Sequence, residues 1–138
     1  MKRIIVATLL VVWALLLGDR AHAQITNLAC NNAVAINAQG AATVKAVADP
    51  AGNARVFVCG WNLNAGAAAS SFQFHGGTGA TCAVATVTLT GTYNLAINGS
   101  NTDSSPVARG TVTAPGSGLC LVVTGVGPLN GVIYYAQQ

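Results

Sequence analysis

Alternation at a period of two constrains this chain more than any other feature, because a pattern that alternates polar and apolar residues suits a strand and spoils a helix face. In residues 83–91, Ala85, Val87 and Leu89 alternate with Thr86, Thr88 and Thr90, which predicts a half-buried strand with the apolar set inward. Tyr93, Leu95 and Ile97 alternate with Asn94, Ala96 and Asn98, and Phe72 and Phe74 alternate with Gln73 and His75. Two runs, residues 56–61 and 119–123, are apolar on both parities, the pattern of central strands, and each carries a cysteine. In residues 56–61, Phe57, Cys59 and Trp61 form a same-face series that points to Trp61 packing against a disulfide. Residues 131–137 form a last strand, with Val132, Tyr134 and Ala136 on one face and Ile133, Tyr135 and Gln137 on the other.

Clusters of Gly, Pro and Asn at 49–53, 76–79, 98–101, 115–118 and 127–131 separate these runs, and 65–70 reads as a loop or hairpin end. With strands at 33–36 and 42–47 added, the chain is expected to be all-β. The expected form is a single antiparallel β-sandwich, jelly-roll or Ig-like, of about eight or nine short strands.

The first 23 residues read as a signal peptide. Lys2 and Arg3 precede an apolar run at 4–17, and Ala21-His22-Ala23 supplies the small residues flanking a cleavage site before Gln24. That run is short of the roughly 20 residues a membrane span needs. The domain is then residues 24–138, and the protein is exported, extracellular or on a cell or virion surface, with the periplasm as another exported location. Cys30, Cys59, Cys82 and Cys120 all follow the leader, and an even count in an exported chain reads as two disulfides. Three pairings are open; Cys30–Cys59 with Cys82–Cys120 is preferred. The absence of a C-x-x-C pair argues against a zinc site.

Of the 115 residues after the leader, 59 are Ala, Gly, Thr or Asn, and only 31 are Val, Leu, Ile, Phe, Trp or Tyr. The core is therefore modest. Charge is reduced to Lys45, Arg55 and Arg109 against Asp49 and Asp103, with His75 the one histidine. Such a chain lacks the cations that release phosphate counterions, so nucleic-acid binding is excluded. It offers almost nothing for acid–base catalysis either. His75 could be set beside Asp49 or Asp103 as a triad, but no G-x-S-x-G elbow accompanies it. Asp49 precedes Pro50 in a turn, where its carboxylate is expected to bond backbone. Gly76-Gly77-Thr78-Gly79 lacks the lysine of a phosphate loop and reads as a hairpin turn. Residues 98–106 read as a solvated polar loop, and Asn98-Gly99-Ser100 matches a glycosylation sequon. Tyr93 and Tyr135 are the candidate ligand contacts, as rings on which a sugar could stack. No catalytic residue, metal site or cofactor is assigned.

Three stretches carry a resemblance: residues 56–61, then Gly-Thr-Gly-x-x-Cys at 77–82 running to Leu89-Thr90-Gly91, then Leu119-Cys120-Leu121 running to Tyr135-Ala136-Gln137. This layout resembles a group of small four-cysteine β-proteins from bacteriophage and phage-rich environmental sequences. The resemblance implies a structural or virion-surface role and carries over no functional residue.

The expected function is thus a non-enzymatic exported structural, assembly or surface-display subunit of a virion, filament or cell envelope. The alternative is a secreted module that binds a surface glycan or other ligand. The expected partner is another copy or another envelope or virion protein, met through the N-terminal strand or residues 131–137 as an unprotected sheet edge. Neither nucleic acid nor a retained membrane span is expected.

Overall fold

The computed structural model of the protein describes residues 28–104 and 111–138, so the expected signal peptide at 1–23, Arg109 and the end of the expected polar loop lie outside the described residues. The described chain forms nine strands: β1 (Asn32–Gln39), β2 (Ala42–Val47), β3 (Val56–Ala65), β4 (Ser70–Thr78), β5 (Val84–Thr88), β6 (Tyr93–Leu95), β7 (Ser100–Asp103), β8 (Gly118–Gly125) and β9 (Pro128–Gln137). One sheet has the order β1-β9-β3-β7; the other has β2-β8-β4-β5, with β6 also pairing β4. All pairings are antiparallel.

Counting β5 and β6 as one position, the first strand pairs the last, the second pairs the last but one, and so inward to β4 with β5. The chain is an antiparallel ribbon rolled on itself, the jelly-roll form of the expected sandwich. The doubly apolar runs lie where such runs belong: β3 sits between β9 and β7, and β8 between β2 and β4. Their side chains meet in one core, in which Val56, Leu63, Phe74, Leu119, Leu121, Leu129 and Ile133 are all fully buried. Trp61 lies at its aromatic centre, with ring centroids 5.0 Å from Phe74 and 5.2 Å from Tyr93. Its indole Nε1 donates to Asn101 Oδ1 on β7 at 2.7 Å, so the one polar atom of the ring is satisfied.

Both disulfides have the preferred pairing, Cys30–Cys59 and Cys82–Cys120. Each links positions that are not sheet neighbours. Cys30 precedes β1 and Cys59 lies on β3, with β9 between them; Cys82 precedes β5 and Cys120 lies on β8, with β4 between them.

The second bridge explains two departures from the alternation. Gly76-Gly77-Thr78 belongs to β4, and the turn begins only at Gly79. A Cβ on Gly77 would lie 2.8 Å from the Cys82 carbonyl oxygen and 2.9 Å from its Cβ, so glycine lets the cysteine-bearing segment cross over β4. That crossing distorts the start of β5, where Ala85 takes a positive φ of 51° and the pairing slips between Gly76 and Thr78. β5 is consequently exposed along its whole length, Val87 included, and of the alternating set Ala85, Val87 and Leu89 only Leu89, past the end of β5, packs on the core.

Three further expectations are corrected. Residues 131–137 are not an edge: β9 is held between β1 and β3. Ser100–Asp103, read as loop, pairs with β3 as β7, and Thr111 to Thr113 continue that line of pairing beside Val56 and Val58. A register shift between Val58 and Gly60 changes the parity of β3 at Cys59. Trp61 therefore shares the core side with Val56 and Val58, and it packs on the aromatic cluster, while Phe57 is half-buried.

Candidate functional site

A jelly-roll leaves free strand edges, and each exposes a row of backbone donors and acceptors that invites another strand unless something blunts it. Three sides are blunted here. β2 carries Lys45 and a register shift between Lys45 and Val47. β5 carries the slip at Gly76 and the left-handed Ala85, and its neighbour β6 is three residues long. β7 carries the charge of Asp103.

β1 has none of these devices. Its eight residues, NAVAINAQ, hold no charge and no proline, and they pair with β9 in an unbroken register from Asn32↔Tyr135 to Gln39↔Pro128. Among the described residues, no backbone hydrogen bond is made along its outer edge. Ile36 and Ala38 are buried and Val34 is half-buried against the core, while Ala33, Ala35, Asn37 and Gln39 face out. The result is a regular edge of uncharged side chains, and it is the candidate interaction site.

The nearest thing to a charged centre is structural. Asp49 Oδ1 pairs with Lys45 Nζ and accepts from the Gly118 amide at 2.9 Å, while Oδ2 accepts from the Gly79 amide at 3.1 Å. Lys45 Nζ also donates to the Gly79 carbonyl at 2.7 Å. Asp49 does bond backbone, but at the distant Gly79 turn and the start of β8, not in its own turn. The cluster clamps the β2–β3 connection to the β4–β5 turn and to the start of β8. The Lys45 hydrogen bond first, and then the two backbone amides, hold the Asp49 carboxyl below its ordinary value of 3.8. A depressed folded-state value means that the carboxylate's contribution is fully present above the unfolded value and is lost as pH falls through the folded one. Asp49→Asn is expected to lower the Tm at neutral pH and to leave a smaller further fall below about pH 4 than the natural protein shows. Thermal melts of both proteins from neutral to strongly acid pH check this; parallel curves would contradict it.

The other singled-out residues are dispersed. Among the described residues His75 has no carboxylate partner: its Nε2 lies 2.9 Å from the acceptor Gln73 Oε1, while its buried Nδ1 has no hydrogen-bond partner. In register across the second sheet it stands beside Cys120 and Thr88. Among the described residues no group of three His, Cys, Asp or Glu is placed to hold a metal. Tyr93 and Tyr135 come from opposite sheets and are both half-buried against the core; the Tyr93 ring stacks on Phe72 at 4.9 Å. The exposed tyrosine is Tyr134. Asn98, the sequon asparagine, is exposed at a positive φ of 55°. A shallow groove of about 280 Å³, of mixed polar and apolar lining, runs between Ser71, Asn94, Leu95 and Thr124, below the size of an enclosing ligand pocket.

The N-terminal strand was legible as an edge. What sequence reasoning missed is that the remaining edges are protected, because Lys45 and the two register shifts gain that meaning only once the strand order is known. Among the described residues no helix is long and apolar enough to cross a membrane. Comparison with protein-family models, with curated proteins and with solved structures finds no match, so the functional reading rests on the geometry of this chain.

Proposed function

We propose that the protein is a non-enzymatic, exported structural or assembly subunit, displayed on a virion, filament or cell envelope. One observation carries this reading: of the sheet edges among the described residues, β1 alone is long, regular and uncharged, with no device against pairing. Soluble single-copy domains blunt such edges or cover them. The scarcity of charge supports it as well, since a free monomer gains solubility from net charge that this chain, with three cations and two anions after the leader, does not have. Two disulfides suit an oxidising compartment outside the cytoplasm. The jelly-roll is used by viral capsid and lectin domains, an analogy at the level of fold that agrees with a surface role.

The test is negative-stain microscopy of the producing culture with a gold-labelled antibody against the folded domain. The reading predicts gold in regular arrays on particles, filaments or envelope fragments. Gold dispersed in the medium, with no structure under it, would contradict it.

A further inference from the structure

We infer that the occupant of the β1 edge is the β1 strand of a second copy of this chain, paired antiparallel about a two-fold axis. The two four-stranded sheets then join into one continuous eight-stranded sheet. This rests on the reading of the chain as an assembly subunit and names its partner.

Three properties of β1 favour its own copy over an unrelated strand. An edge of one sign would repel itself across a two-fold axis, where each residue meets its own mate or a near neighbour. β1 is uncharged from Asn32 to Gln39, and the whole chain after the leader is close to neutral. Its alternation is also compatible with itself. Because side chains alternate at a period of two, a two-fold pair keeps both cores on the same side of the joint sheet only when facing residues share parity. The two such registers with the greatest overlap are centred on Ala35 or on Ile36, and each joins seven of the eight residues.

Centring on Ala35 sets Val34 opposite Ile36 of the second copy twice over, which covers the part of Val34 that the single copy leaves half-exposed. On the outer side the same register brings Ala33, Ala35 and Asn37 together, side chains small enough to let the backbones close to hydrogen-bonding distance. The third property is an unbroken register. The pairing of β1 with β9 has no register shift, so its outer donors and acceptors keep the regular alternation that an antiparallel partner needs, whereas the shifts along β2 and β5 break theirs.

Light scattering on the eluting oxidised protein, over a range of concentrations, tests this with Ala35→Lys. Ala35 faces outward, so the substitution leaves the core untouched while placing like charges beside each other at the axis in either register. The natural protein is expected to elute as a dimer or larger species. Ala35→Lys is expected to weaken self-association by about tenfold or more. Thr88→Lys, on the exposed face of β5, should leave association unchanged. If Ala35→Lys fails to fold, Asn37→Lys, also outward-facing, takes its place.

A natural protein that stays monomeric at all concentrations overturns the self-pairing, as does association that Ala35→Lys leaves intact or that Thr88→Lys weakens equally. The subunit reading fails separately. If gold-labelled arrays persist around a protein that is monomeric in isolation, and Ala35→Lys removes it from them, the edge is used but its occupant is another protein.

Discussion

Replacing Cys82 and Cys120 together by alanine is expected to cost the oxidised protein about 3–4 kcal/mol, a large part of the stability of a domain this small. The loop closed by the bridge spans a sequence separation of 38 residues, and the entropy of closing such a loop in the unfolded chain sets the upper end of that range. Both sulfurs are buried, so alanine adds no unsatisfied hydroxyl. The effect should be local as well as global, because the bridge holds the segment that crosses Gly77 and gives Cys82 and Ala85 their positive φ values. Urea unfolding measures the first effect as a lower midpoint. Amide exchange measures the second as faster exchange in β5 than in β8. A loss below about 1 kcal/mol would mean that the core alone sets the stability.

The core has its own test. Phe74→Ala is expected to cost about 3–5 kcal/mol, since the ring is fully buried, with centroids 5.0 Å from Trp61 and 5.7 Å from Phe72, and little around it can collapse into the space. Val87→Ala, at a position equally apolar in the alternation but 52 % exposed, should stay within about 0.5 kcal/mol of the natural protein. Denaturant midpoints for the pair separate the buried centre of the second sheet from its exposed β5 edge. Equal losses would place β5 in the core and contradict the fold.

Val87 and Phe74 also show how far the sequence reaches. Phe72 and Phe74 alternate with polar residues and point inward as the pattern says, because β4 lies between β8 and β5 and its core face is set by both neighbours. Val87 alternates as cleanly, yet it sits on an edge strand displaced by the Cys82–Cys120 bridge, a constraint written in residues far from its own window. The central places of β3 and β8 were legible, since a doubly apolar run suits a strand with neighbours on both sides, whereas the disulfide pairing, though the preferred one of three, is fixed only by the strand order. The parity change at Cys59 was not, because a bulge adds one residue without altering composition. Nor was the inner position of β9, which depends on pairing with β1, about a hundred residues away in sequence. The candidate site was half legible: the strand at 33–36 reads as uncharged and short of protecting lysine, but its distinction from the other edges is a property of the assembled sheets.

Amide hydrogen exchange on the oxidised protein, recorded at low and at high concentration, tests assembly through β1 most directly. The account predicts that those β1 amides directed away from β9 exchange freely in dilute solution and become protected as concentration rises. The outer amides of β2 and β5 should exchange at the same rate in both. Protection that rises along β2 or β5 while β1 stays unchanged, or no concentration dependence on any edge, would contradict it.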